Sequence, residues 1–357
     1  MHLLELGWDE RWAAAFAALS PPPDVQPAKV AIEFNHIYRL YVEGGELEAT
    51  AAGRLKHRAE RRSELPAVGD WVAVRRQPGE DQGAIVAVLP RRSWFSRKAA
   101  GNVTGEQVVA SNVDVVFIVM ALDGDFNLRR LERYFLLTRE SGAVPVILLT
   151  KPDLSTDVPG QLARVGALAG AVPVHVLSPK FNEGLCQVSA YLARGRTAAL
   201  LGSSGVGKST IINRLAGTEQ QRTNEVRDAD YRGRHTTIHR ELVVLPDGGL
   251  IIDTPGMREL QLWDVGAAVR ETFDDVERLA AGCHFTNCRH QNEPRCAVKA
   301  AAERGELAAD RLASYLKLQD ELMFLARQQD ERAQLEEKRR SKVMGKALKQ
   351  HLKAKRD

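Results

Sequence analysis

Three short stretches carry residue types whose spacing suits nucleotide chemistry. Gly202-Ser203-Ser204-Gly205-Val206-Gly207-Lys208-Ser209-Thr210 fits the pattern G-x-x-x-x-G-K-[ST]. Glycines at such places let backbone N–H groups wrap phosphates with no Cβ in the way. Lys208 would reach the β- and γ-phosphates, and the Ser209 hydroxyl would ligate Mg²⁺. Asp253-Thr254-Pro255-Gly256 closes an apolar run. A carboxylate there holds Mg²⁺ through water, and the Gly256 N–H can meet a γ-phosphate. Thr150-Lys151-Pro152-Asp153 ends another apolar run. Asp153 can accept from guanine N1–H and N2–H₂ together, a donor pair that adenine lacks, while the Lys151 stem lies over the base plane. An ATPase or kinase conflicts with that tetrapeptide.

A second chemistry lies further on. Cys283-x₄-Cys288-x-His290-x₅-Cys296 brings three thiols and one imidazole together. That donor set suits tetrahedral Zn²⁺ with no open position, hence a structural site. His284 follows Cys283 immediately and is the poorer ligand. Cys186, in an apolar helical stretch, is expected to be packed in a core. Basic residues with aromatic neighbours fit phosphate contact and base stacking. They are Arg54, Lys56, Arg58, Arg61 and Arg62 in an expected loop, then Arg91, Arg92, Trp94, Arg97 and Lys98 after an expected strand. The stretch Lys338–Asp357 has nine Lys/Arg against one acid and could dock on phosphate.

The elements that must position these groups follow from periodicity. Residues 1–27 open with a helical pattern (Trp8, Trp12, Phe16, Leu19) that stops at Ser20-Pro21-Pro22-Pro23. Short strands are expected at Val30–Phe34, Ile37–Val42, Leu47–Leu55, Asp70–Val74 and Ala84–Leu89, the spacing of a small sandwich or barrel. From Val113 strands and helices alternate: strands Val113–Leu122, Val144–Thr150, Val172–Leu177 and Thr197–Leu201, helices Asn127–Glu140, Gly160–Ala169 and Gly184–Arg194, and a further helix from Lys208. That alternation means a parallel sheet covered on both faces, with ligands at the strands' carboxyl ends. Strands Glu241–Leu245 and Leu250–Ile252 flank a Pro246-Asp247-Gly248-Gly249 turn. Beyond residue 265 the pattern is helical, with Leu312, Tyr315, Leu316, Leu322 and Met323 on one stripe.

Composition narrows the class. The 357 residues carry a formal net charge of +4, with 44% hydrophobic and 27% charged residues, which is ordinary globular material. No apolar run approaches the roughly 18 residues of a membrane span. The first residues lack a basic n-region, so no signal peptide is expected. Four cysteines make no disulfide framework. A cytoplasmic, multidomain protein is expected.

The three nucleotide motifs stand in an order unlike that of small GTPases: the base motif and Ser178 precede the P-loop, and the D-T-P-G follows it. With a strand-rich N-terminal module and a Cys/His cluster behind, the chain resembles the family of ribosome small subunit-dependent GTPase A, a bacterial circularly permuted GTPase. The resemblance runs from about Val30 to about Leu325. It implies an OB-fold barrel over 28–100 that binds RNA, a permuted α/β P-loop GTPase over 104–262 and a helical zinc domain over 263–337; the charge of 338–357 marks a basic tail behind them. It implies a monomeric GTP hydrolase, away from membranes, that binds GTP/GDP, the small ribosomal subunit and its rRNA late in maturation. Hydrolysis would be stimulated by the subunit and coupled to release; alternatively, the protein is a GTP-sensing checkpoint in which hydrolysis is incidental.

The resemblance has departures. Thr150 stands where an Asn is usual, which is expected to weaken the tether between base loop and P-loop. Ser178-Pro179-Lys180 replaces a commoner Ser-Ala pair. The switch reads Gly233-Arg234-His235-Thr236-Thr237-Ile238, leaving Thr236 and Thr237 both as Mg²⁺ ligand candidates. Met257 occupies the place of the water-orienting Gln of Ras-like enzymes, so His235 is the nearest candidate to position water.

Overall fold

A computed structural model of the chain describes residues 2–76, 82–98, 106–217, 240–253, 269, 272–320 and 322–323. The chain divides into two compact units, Met1–Gln261 and Leu262–Asp357.

In the first unit, β1 (Val25–Phe34), β2 (Ile37–Val42), β3 (Gly45–Ala51), β4 (Trp71–Arg76) and β5 (Gln82–Val88) form a barrel. Asn35 and His36, both at positive φ, make the tight β1–β2 turn that a right-twisted hairpin favours. The strand order β1-β2-β3-β5-β4 closes through a β1–β4 pairing, and β3 runs parallel to β5. That is the five-stranded OB-fold connectivity. Val30, Tyr38, Leu40, Leu47, Val72, Val74 and Ile85 fill its interior.

Six further strands form a sheet in the order β10-β9-β8-β11-β13-β12. They are β8 (Val115–Ala121), β9 (Val144–Thr150), β10 (Val174–Leu177), β11 (Thr197–Leu201), β12 (Arg240–Val244) and β13 (Leu250–Asp253). All but β12 are parallel to their neighbours, and every residue of β8 and β11 is buried. Strands buried on both faces read as unbroken apolar runs, which is how they stand in the chain. Edge strand β12 pairs antiparallel with barrel strand β1, Ile32 opposite Glu241 and Glu33 opposite Arg240, so barrel and sheet share one hydrogen-bonded ladder.

The N-terminal segment is tied to both. Leu3–Leu6 is a 3-10 turn, and α1 (Glu10–Ala17) is capped by Asp9, which accepts from Trp12 N at 3.0 Å. His2 bonds Glu43 of the barrel, Glu5 pairs with Arg194 at 2.7 Å, and the Leu6 carbonyl accepts from buried Lys29 at 2.9 Å. Gly7 packs so closely on Gly195 that a Cβ would stand 2.3 Å from the Gly195 oxygen.

Several expectations are corrected. The strand expected over Leu47–Leu55 ends at Ala51, and α2 (Gly53–Arg58) followed by a 3-10 turn at Arg62–Glu64 replaces the basic loop. The basic residues Lys56, His57 and Arg58 fill its last turn, where they meet the negative end of the helix dipole. The helix expected over Gly184–Arg194 is only α5 (Leu185–Ser189), and Cys186 on it is exposed, not core. Trp94–Lys98 is itself a strand, β6, paired with β7 (Glu106–Ser111).

In the second unit, helices Asp274–Ala280 and Ala297–Glu303 and a helix over 309–320 pack together. Arg311 stacks on Phe273 at 4.3 Å and pairs with Asp275, and the Tyr315 hydroxyl donates to Glu277 at 2.9 Å. Of the expected stripe, Tyr315 is buried, whereas Leu312, Leu316, Leu322 and Met323 are half-buried. Among the described residues no helix is long and apolar enough to cross a membrane.

Candidate functional site

The carboxyl ends of β8, β9, β10, β11 and β13 lie along one edge of the sheet, and the nucleotide motifs sit there. The P-loop leaves β11 at Gly202, where a Cβ would stand 2.4 Å from the Val119 carbonyl oxygen, so only glycine fits. Gly205 and Gly207 take φ of 75° and 99°, and Gly207 is the N-cap of α6 (Lys208–Ala216). Lys208 curls back to donate to the carbonyls of Gly202 at 2.8 Å and Ser203 at 2.5 Å, which holds its ammonium inside the loop. Ser209 and Thr210 follow on the first turn, and Ser204 is exposed.

Thr150 ends β9 fully buried, and its hydroxyl donates to the Val206 carbonyl of the P-loop at 2.6 Å. The tether expected to weaken without Asn is therefore present. Lys151 takes φ 55° and starts a 3-10 turn over Pro152–Leu154, which leaves Asp153 exposed at the rim. Ser178, at the end of β10, is buried; its carbonyl accepts from Phe181 N at 3.0 Å and Glu183 N at 3.1 Å. Arg214 of α6 donates to the Pro179 carbonyl at 3.2 Å, fastening that loop to the P-loop helix. Asp253, the last residue of β13, is half-buried beside β11, in the register Ala199 opposite Ile252. His235, Thr236, Thr237 and Gly256 lie outside the described residues.

Sequence reasoning missed two residues of this edge. Asp123, just past β8, accepts from the Lys151 ammonium at 2.9 Å. Burial pushes its carboxyl up, but Lys151 and the Asp125 N–H outweigh burial and hold it below its ordinary value. Arg130, on the first turn of α3 (Leu128–Ser141), bonds both Asp125 and the Ser203 hydroxyl of the P-loop. The capping Asn127 marked the helix start; nothing in the spacing marked these partners.

In the second unit the donor atoms of Cys283, Cys288, His290 and Cys296 lie within 4.8 Å of one another. Cys283 Sγ is 3.6 Å from His290 Nδ1 and 3.9 Å from Cys296 Sγ, and Nδ1 is 3.3 Å from Cys296 Sγ. A tetrahedral Zn²⁺ with bonds of about 2.0–2.3 Å needs donor–donor edges of about 3.5–3.8 Å, so the set fits one metal ion. His290 reaches it from a positive φ of 59°.

The basic residues divide. Arg54, Lys56, Arg58, Arg61 and Arg62 are exposed around α2, Trp94 is 43% exposed on β6, Arg97 is half-buried and Lys98 ends the strand. Arg91 and Arg92 have partners within the protein. Arg91 spends its guanidinium on fully buried Asp70 and the carbonyls of Ser63 and Leu65, bracing the barrel. Arg92 stacks on Trp12 at 4.3 Å and pairs with Asp9.

Comparison with known proteins places this geometry among relatives. The sequence profile described as RsgA GTPase matches residues 88–263. The chain is 50% identical over 339 residues to the small ribosomal subunit biogenesis GTPase RsgA of Opitutus terrae, covering 92% of each chain. It is 41% identical over 352 residues to the protein of the same name from Syntrophotalea carbinolica, covering 96% of each. Two solved structures share the fold. YjeQ from Thermotoga maritima aligns with a TM-score of 0.60 at 24% identity, over 84% of this chain and 99% of its own. YloQ, a circularly permuted GTPase, aligns at 0.56 and 23%, over 84% and 95%.

Proposed function

This chain belongs to the RsgA GTPase family and is a GTP-hydrolysing enzyme, and from that premise we propose that it acts on the small ribosomal subunit late in its maturation. The observation that carries the guanine site is the Thr150–Val206 hydrogen bond, which joins base motif and phosphate loop despite their permuted order. In this reading Asp153 selects guanine, and Ser178 supports the base. The P-loop from Gly202 to Thr210 holds the phosphates, and Gly256 meets the γ-phosphate. Ser209, Asp253 and one of Thr236 and Thr237 would hold Mg²⁺, which would supply neutralisation of the phosphate charge. His235 positions the attacking water.

The Cys283/Cys288/His290/Cys296 set is a structural Zn²⁺ site, because four protein donors leave no place for water. Exposed Arg54, Lys56, Arg58, Arg61, Arg62 and Trp94, with Arg97 and Lys98, form the rRNA surface of the barrel. The protein works as a cytoplasmic monomer, with the barrel near 28–100, the GTPase near 104–262 and the zinc domain near 263–337.

Hydrolysis is stimulated by the subunit and drives release. Purified small subunits should raise kcat for GTP, with ATP failing to compete. Subunits that change only nucleotide affinity, with kcat constant, would favour the checkpoint reading instead.

A further inference from the structure

The segment between β8 and α3 touches both halves of the nucleotide site, and no motif accounts for it. Its first half is held rigidly. Leu122 N donates to the Thr150 carbonyl at 2.8 Å, continuing the pairing of Ala121 with Thr150. Asp123 Oδ1 accepts from its own loop at Asp125 N, 2.9 Å, and its carbonyl accepts from Phe126 N at 3.0 Å, an Asx-type turn. One carboxylate oxygen is thus fixed by the loop, and the other, Oδ2, is aimed at the Lys151 ammonium. The second half of the segment carries Asp125, which holds Arg130 against Ser203 of the P-loop.

We propose that Asp123 is the positioning residue of the base site, holding Lys151 extended so that its stem covers the purine, while Asp125 and Arg130 carry the same loop across to the phosphate loop. The proposal rests on the reading that Thr150–Asp153 binds guanine. Lys has a flexible four-carbon stem and a point charge that any carboxylate can hold. Lys151 already takes a left-handed backbone, and without Asp123 its stem regains rotamers that do not cover the base. The base contact is common to GTP and GDP and lies far from the bond that breaks. Asp123 therefore sets ground-state affinity equally for both nucleotides and leaves kcat alone, the signature of uniform binding.

The test is titration of the full-length protein with N-methylanthraniloyl-GDP and -GTP, together with steady-state hydrolysis. Asp123→Ala should weaken both nucleotides by roughly tenfold, the size of one charge-assisted hydrogen bond, with kcat at saturation unchanged. Asp123→Asn keeps the loop acceptor and should lie between wild type and Asp123→Ala; it serves if Asp123→Ala fails to fold. In a Lys151→Met background, Asp123→Ala should cost nothing further. Wild-type affinity in Asp123→Ala, a fall in kcat, or an equal loss in both backgrounds overturns the proposal. Wild-type protein whose fluorescent GDP is displaced equally by ATP and GTP would sink the guanine reading itself, and the proposal with it.

Discussion

The hydroxyl of Thr150 donates to the carbonyl of Val206 across 56 positions of sequence, at 2.6 Å and fully buried. The contact joins the Thr150–Asp153 motif to the P-loop, the two loops proposed to read the base and hold the phosphates. A parallel sheet fixes strand positions by pairing, whichever connection is left open, so a chain with its motifs reordered still closes the same site. Thr150→Val keeps the shape and removes the donor, leaving the Val206 carbonyl without it in a dry place. It should destabilise the first unit by about 1–3 kcal/mol and weaken GDP binding. Thr150→Ser should retain most of both, as thermal melts and fluorescent GDP titration would reveal. Equal melting of Thr150→Val and wild type would mean the bond carries no load.

Metal removal should act on the second unit's fold and not on the chemistry. Binding to a closed thiolate site contributes directly to folding. Cys288→Ser should lose about one equivalent of zinc, measured by elemental analysis, and open the region around Cys283–Tyr315 to protease while GTP hydrolysis persists. Full zinc content in that variant would refute the ligand set.

Stability should rise with pH above about 8, for a reason located at Lys29. Its ammonium is fully buried, donating to the Leu6 carbonyl and the Thr197 hydroxyl over the Trp71 ring. Burial lowers its pKa to about 8; Asp114 and Asp70 pull it up and Arg92 pushes it down. Below pH 8 both folded and unfolded chains hold the proton. Between about 8 and 10 only the unfolded chain does, so ΔG of unfolding should climb by about 2 kcal/mol. Lys29→Met should flatten that climb in urea melts. The window closes above 10, where tyrosines titrate; burial holds Tyr41 up at about 12 in the fold.

Much of this was legible in the chain. Ile37–Val42, Val144–Thr150 and Thr197–Leu201 were bounded to the residue, their carboxyl ends falling where Glu43, Lys151 and Gly202 stop the apolar run. The grouping of Cys283, Cys288, His290 and Cys296 was legible from spacing. What escaped was decided by partners distant in sequence. Arg91 looks like part of a basic run until Asp70 is placed beside it, and Asp123 looks like a turn residue until pairing of β8 with β9 brings Lys151 across. Leu55 extends the apolar pattern of β3, yet the chain turns into helix at Gly53, which local alternation cannot register.

His235, outside the described residues, is proposed to orient water because Met257 offers a thioether where Ras-like enzymes carry Gln. His235→Ala should keep GTP affinity near wild type and lose subunit-stimulated turnover. Single-turnover hydrolysis with purified small subunits measures this, and undiminished stimulation assigns the water to another group.

The permuted motifs are proposed to build one guanine site, with Asp153 reading the base. The direct measurement is competition of GTP and xanthosine triphosphate for Asp153→Asn and wild type. The amide replaces an acceptor that faces guanine N–H groups with a donor that suits the xanthine C2 carbonyl. Wild type should prefer GTP, and Asp153→Asn should reverse the preference by at least about a hundredfold overall. Unchanged GTP affinity in Asp153→Asn would contradict the assignment.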